Sequence, residues 1–299
     1  MEIATTSGQD ILLPESSRKN RRERKITVEV NSQDRSRTQS YNSNNFRWDF
    51  RRPLKDVVAI ELVSGSIPAD LYNVTPDWNK FVFGETGRAN VVVTLTPGQY
   101  TATEIAIELQ TQLNAIPGKV NTYTVAYSAK TKRLTITGSS TTPFTFFFQT
   151  GLPYVDTIHR RTGIVENILC PAKLLGFDFY DYTSLVSGGT TVFSPPNRVD
   201  MDYCIKRVYL YVNTDSSKEL TRIEMGAGRH DCFHIIYLPN IHDGFHNLNR
   251  ELYTPIYYSA PAPISRMSSL IISIRDEFYR LIDLGGHEFN LIFEFTVLD

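Results

Sequence analysis

The densest group of side chains able to do chemistry is Gly228-Arg229-His230-Asp231-Cys232-Phe233-His234, followed by His242 and His246. If residues 230–234 are extended, His230, Cys232 and His234 point to one side, and imidazoles with a thiolate suit zinc. His242 and His246 would share a face only on a helix, yet Asp243-Gly244 favours a turn. The arrangement resembles cupin His-x-His spacing only superficially, because no Glu follows at the distance that motif needs. Histidines on strands and loops ordinarily serve in hydrogen bonding, so no metal is expected. A metal-dependent, cupin-like enzyme would instead lose bound metal on replacement of His230 and His234.

Other catalytic patterns fail at the level of spacing. The chain has no Gly-x-Ser-x-Gly elbow, no Walker A loop and no His-Glu-x-x-His, and Gly226-Ala227-Gly228 lacks the third glycine of a dinucleotide fingerprint. Asp276, Glu277 and Asp283 could be imagined as an acid/base pair for glycoside hydrolysis. Carboxylates in turns more often cap backbone amides. Neither enzyme activity nor a cofactor is expected.

A different chemistry is written into the beginning of the chain. Arg18, Lys19, Arg21, Arg22, Arg24 and Lys25 fall within eight residues, in a stretch with few large apolar side chains. Residues 1–55 hold 12 Lys and Arg against 7 Asp and Glu, whereas the whole chain carries a net charge of −1. The start is basic and the body acidic. Residues 1–25 are therefore expected to form an extended arm without a core of its own, solvated or ordered on a neighbouring subunit or an anionic surface. A nucleic-acid-binding module acting through this arm is the reading from another functional class, and it would show affinity that falls steeply with salt.

The elements behind these residues are mostly strands. Phe289, Leu291, Phe293, Phe295 and Val297 alternate with Glu288, Asn290, Ile292, Glu294 and Thr296, the period of two of a half-buried strand. Leu270, Ile272 and Ile274 alternate likewise, and with Asp283, Gly285 and Gly286 between the two runs they read as a C-terminal hairpin needing a second apolar layer. Further strands are expected at 26–30, 46–50, 56–67, 91–95, 123–127, 134–137, 144–148, 205–212 and 233–238, with Pro53 and Pro68 as breaks. One helix is clear: Thr101 and Glu104 have capping-box spacing, Ile105, Leu109 and Leu113 share a face, and Pro117-Gly118 ends it.

Without βαβ alternation, this pattern indicates an antiparallel β-sandwich spanning residues 26–299 as one domain. Cys170, Cys204 and Cys232 are odd in number and widely spaced, which fits buried thiols in a reducing cytosol rather than a disulfide framework. No signal peptide or membrane-spanning run is read from the sequence, so the Asn73-Val74-Thr75 sequon reads as a turn. Phe144, Phe146, Phe147 and Phe148, and Tyr253, Tyr257 and Tyr258 among prolines, are candidates for core packing or subunit contact.

Four stretches taken in order resemble one family. They are Ile26 to Asn73, with Asp34-Arg35, Ser43-Asn44-Asn45-Phe46, Leu54 to Leu62 and Ile67-Pro68; Leu95-Thr96-Pro97-Gly98-Gln99-Tyr100-Thr101 leading into the helix; Lys173-Leu174-Leu175-Gly176-Phe177; and Leu270 to Phe295, with Ile274-Arg275-Asp276 and Ile282-Asp283-Leu284-Gly285-Gly286. Together they resemble the minor capsid proteins of large icosahedral nucleocytoplasmic DNA viruses, of the chlorella virus and mimivirus type.

The resemblance implies an all-β jelly-roll subunit with one substantial helix, made in the host cytoplasm and built into the virion shell. It implies partners in the major capsid protein and other minor capsid proteins, no small-molecule substrate, and a basic arm able to touch DNA or inner-membrane headgroups. A single jelly-roll penton at the vertices is the close alternative.

Overall fold

The longest strand is the one the sequence divides in two. In the computed structural model, which describes residues 22–35, 42–76, 78–151, 170–203, 206–215, 220–221, 223–224, 231–238, 244–249, 256–276 and 279–299, Asn45–Pro68 is a single 24-residue strand, β2. Its first half is amphipathic: Phe46, Trp48 and Phe50 pack in the core, while Arg47, Asp49 and Arg51 are exposed. Pro53 does not end it. Two residues of the facing strand, from Met267 to Ser269, span five of β2, from Leu54 to Asp49, so Arg51, Arg52 and Pro53 sit in a bulge where a missing N–H costs no ladder bond.

The bulge has a large consequence. Phe295 pairs with Ile60, ten residues along β2 from Phe50, a span of about 33 Å in a straight strand. Yet the rings of Phe50 and Phe295 are 5.5 Å apart. The sheet therefore folds back on itself, and the second apolar layer that the sequence demands comes from the same sheet.

That seven-stranded antiparallel sheet runs β1 (Glu23–Asn31), β15 (Asn290–Leu298), β2, β14 (Ile256–Arg275), β11 (Arg207–Thr214) and β12 (His234–Tyr237), with β13 (Phe245–Asn249) also on β2. The alternation expected in β15 is present, with Phe289, Leu291, Phe293, Phe295 and Val297 all buried. The expected C-terminal hairpin is not: β2 lies between β14 and β15. Fourteen residues separate Arg275 from Asn290, far more than a tight hairpin uses, and they carry the chain around the start of β2. There Asn44 donates its side-chain amide to the Ile282 carbonyl at 2.6 Å and Ser43 its hydroxyl to the His287 carbonyl at 2.8 Å. Gly65 permits the close approach of β15, since a Cβ at that position would stand 2.6 Å from the Asn290 carbonyl oxygen.

The described strands between β2 and β11 pair only with one another. β3 (Lys80–Glu85), β4 (Val91–Thr94), β7 (Phe144–Phe147) and β8 (Asp181–Thr183) form one four-stranded sheet; β5 (Tyr123–Ser128), β6 (Arg133–Gly138), β9 (Leu185–Ser187) and β10 (Thr190–Phe193) form another. Helix α1 (Ala102–Asn114) carries the expected capping box and buries Ile105, Leu109 and Leu113 among them. The described apolar side chains accordingly fall into two clusters, one on the large sheet and one within residues 74–201, where a single sandwich core is expected from sequence. Periodicity reports that a strand has a buried face but not which core receives it. The fold is all-β, antiparallel and jelly-roll-like, with an inserted two-sheet unit.

Candidate subunit interface

The histidine–cysteine stretch is divided by the fold. Cys232 is fully buried and bridges Ile223 across a short antiparallel step, and burial, with Asp231 adding to it, pushes its thiol up to about 12. A thiol held neutral in this way is a packing group. His234 sits on β12 opposite Leu210, and His246 sits on β13 opposite Ile67, where burial lowers its pKa. His230 and His242 lie outside the described residues. Among the described residues no group of three His, Cys, Asp or Glu stands close enough to hold a metal.

The turn carboxylates have structural work. Asp276 is buried and pairs with Arg280 at 2.7 Å, and Asp283 accepts from the Gly285 amide at 2.9 Å. Glu277 lies outside the described residues. Of the phenylalanine run, Phe144, Phe146 and Phe148 are fully buried in the inserted unit, Phe144 edge-to-face on Phe146 and Phe146 stacked on Phe148, which leaves Phe147 on the opposite face.

The basic residues expected in an arm are placed in part. Arg18, Lys19 and Arg21 lie outside the described residues. Arg22 is exposed just ahead of β1, and its carbonyl accepts from the Asp299 amide at 2.9 Å. β1 begins at Glu23, three residues before the expected strand, so Arg24 and Lys25 stand in the sheet. Arg24 pairs with Asp299 at 3.3 Å and Lys25 with Glu294 at 2.5 Å. Both pairs are solvent-exposed on the arginine and lysine side and contribute little to stability.

The strands at the sheet margins show how this protein treats unpaired edges. A margin strand offers a row of free backbone groups and is ordinarily blunted by charge or by a covering element. β1 carries Glu23, Arg24, Lys25 and Glu29. β5 is covered by α1: Asn114 donates to the Tyr123 carbonyl at 2.8 Å and accepts from its amide at 2.9 Å, and Gln110 accepts from the Val125 amide at 2.9 Å. At β8, Asp181 takes the amides of Gln149 and Thr150 at 2.9 and 3.1 Å.

β9 has none of these devices. It pairs with β10 on one side and, among the described residues, with no strand on the other. Its side chains Leu185 and Val186 are 74% and 53% exposed, and nearby in sequence Tyr180 is 61% exposed. Gly188 and Gly189, at φ 58° and 84°, close the β9–β10 hairpin with the left-handed residues that a two-residue turn requires. That Gly-Gly pair beside the apolar Leu185-Val186 is the signal in the sequence for this edge, and no strand is expected there from periodicity. An apolar, uncharged margin is a surface built to be covered.

Known proteins give the following likenesses. The model of a family of unknown function (DUF5901) matches residues 15–202, from the basic stretch to the end of the inserted unit. No curated protein matches the sequence. Among solved structures, the chain is similar to the penton protein of mavirus, at 10% identity and a TM-score of 0.48, covering 92% of this chain and 99% of that one. It is also similar to a chain in the structure of the Sputnik virophage, at 11% identity and a TM-score of 0.36, covering 91% and 98%.

Proposed function

The chain belongs to the family of unknown function (DUF5901), a membership that brings no activity with it; on the strand margin and the sequence resemblance, we propose that the protein is a structural subunit of a viral capsid. Its finer role is that of a minor capsid protein, which buries surface against the major capsid protein and neighbouring minor proteins and so fixes shell geometry. The observation that carries this reading is the uncovered β9 margin. In a fold that shields β5 with helix amides and β1 with charges, Leu185 and Val186 are left facing outward.

The order of capsid-like stretches in the sequence supports the same reading. A shell subunit works by repeated contact rather than by a reaction centre, and a strand margin adds main-chain hydrogen bonds to apolar burial in each copy of that contact.

The test is mass spectrometry of gradient-purified particles. A fixed ratio to the major shell protein that survives a high-salt wash is expected. Absence from particles overturns the assignment, and a copy number set by the vertices rather than the facets replaces the minor-protein role by that of a penton.

A further inference from the structure

One end of the large sheet gathers cations from three of four successive strands. Lys55 on β2 stands directly opposite Arg266 on β14. Like charges facing each other across a strand pair are destabilising. Two positions further along β2, Val57 pairs with Val297 of β15, which in turn pairs with Arg24 of β1, so the start of β1 lies at this same end. Arg22 follows one step beyond, held by the Asp299 amide. The β2 bulge adds Arg51 and Arg52, both exposed.

The spread from β1 to β14 is three strand spacings, about 14 Å. Of the carboxylates at this end, Asp49 is engaged with Arg47, Asp299 with Arg24 and Asp215 with the Ser268 amide, while Glu23 follows Arg22 and Asp56 follows Lys55 along the chain. No described carboxylate pairs with Arg51, Arg52, Lys55 or Arg266.

We propose that Arg22, Arg51, Arg52, Lys55 and Arg266 form a docking surface for the phosphate backbone of a nucleic acid, bound without regard to sequence. An anion seated between Lys55 and Arg266 removes the repulsion that the empty pair carries. Arginine dominates the set, and its fork suits the two oxygens of a phosphodiester. None of the exposed large apolar side chains among the described residues stands on these strand segments, so the surface has nothing to sink into a bilayer. Duplex DNA carries one charge per roughly 1.7 Å of axis, so a patch of this width meets several phosphates at once. The inference is independent of the capsid reading, since a shell subunit without nucleic-acid affinity would leave that reading standing.

The test is fluorescence anisotropy of the full chain with a labelled mixed-sequence duplex, between about 50 and 200 mM salt. The variant Arg51→Gln/Arg52→Gln/Lys55→Gln/Arg266→Gln is compared with Lys130→Gln/Arg133→Gln on the inserted unit. The first is expected to lose affinity by more than about tenfold at low salt and to flatten the slope of log K against log salt by about 3 to 4, the share of four phosphate contacts. The second should match the wild type. Lys55→Gln/Arg266→Gln alone should flatten the slope by about half as much with an unchanged or raised thermal midpoint, which separates lost contacts from lost folding. A four-site variant with the wild-type slope overturns the proposal, as does a wild type that ignores duplex but binds phosphatidylserine vesicles.

Discussion

The guanidinium of Arg280 lies over the ring of Trp78, 4.6 Å from its centroid, and so joins two parts of the chain that have separate cores. Arg280 belongs to the turn after β14, and Trp78 to the first residues of the inserted unit. Each is held from behind. Asp276 grips the guanidinium at 2.7 Å, and the Trp78 indole N–H donates to the Asn73 carbonyl at 3.0 Å, at the point where the chain leaves β2. The contact therefore couples the C-terminal turn of the large sheet to the entrance of the insert.

Replacing Arg280 by Ala removes the cation–π contact and leaves Asp276, which is 4% exposed, without its counter-charge. The combined cost is expected to be about 2–4 kcal/mol. The chain contains two tryptophans, Trp48 on the large sheet and Trp78 in the insert, so Trp48→Phe and Trp78→Phe variants report the two units separately, the phenylalanine at position 78 keeping an aromatic face for Arg280. In denaturant, the Arg280→Ala protein should unfold with its Trp48 and Trp78 transitions further apart than in the wild type. Transitions that shift together would show that the coupling lies elsewhere.

Glu85 makes the insert sensitive to acid. It is buried at the end of β3 and accepts from the Tyr123 hydroxyl at 2.5 Å, the Val120 amide at 2.6 Å, and the Asn121 amide and side chain at 2.9 and 3.0 Å. Burial alone would raise its pKa; the four donors outweigh it and hold the carboxyl below its ordinary 4.5. Burial and the same bond push the Tyr123 hydroxyl up. Because the folded pKa lies below the unfolded one, the stability Glu85 contributes is complete above pH 4.5 and is lost as pH falls through the folded value. Glu85→Gln should cost about 1.5–3 kcal/mol at neutral pH and flatten the acid limb of insert unfolding, followed by Trp78 fluorescence.

These relationships were legible in the sequence to different depths. The faces of β15 and α1 follow from period alone, because Leu291, Phe293 and Phe295, or Ile105, Leu109 and Leu113, each have one apolar side to hide. Which strand lies beside which did not follow, since β2 enters between β14 and β15 from a distant part of the chain, its Leu62 pairing with Ile256. Pro53 hid the continuity of β2, because a proline in a bulge looks in sequence like a proline at an end. The two cores were invisible for a related reason: Phe81 and Phe293 carry the same local pattern but belong to different clusters. Of the basic residues, spacing identified the cations but not that Arg24 and Lys25 are already paired within the sheet.

Asn114 closes the β5 margin with both ends of its amide. Asn114→Leu keeps the helix, since Leu has better helix propensity, but leaves the Tyr123 amide and carbonyl without those partners. A loss of about 1–3 kcal/mol is expected, with most of it in the insert. Gain of association at raised concentration, measured by sedimentation, should accompany it, because the mutation converts a covered margin into an open one.

β9 supplies the opposite experiment. Leu185→Lys/Val186→Lys places two charges on an exposed edge whose side chains meet no core, so the isolated protein should keep its stability within about 0.5 kcal/mol. Incorporation into particles, scored as the ratio to the major shell protein when the variant is co-expressed with the other shell components, should fall at least tenfold. Lysine on an edge strand must lose its hydration when a second backbone pairs there, and that penalty recurs in every copy of the contact. Normal incorporation of a normally folded variant would mean that the shell contact is made by another surface, and that Leu185 and Val186 face solvent in the assembled particle.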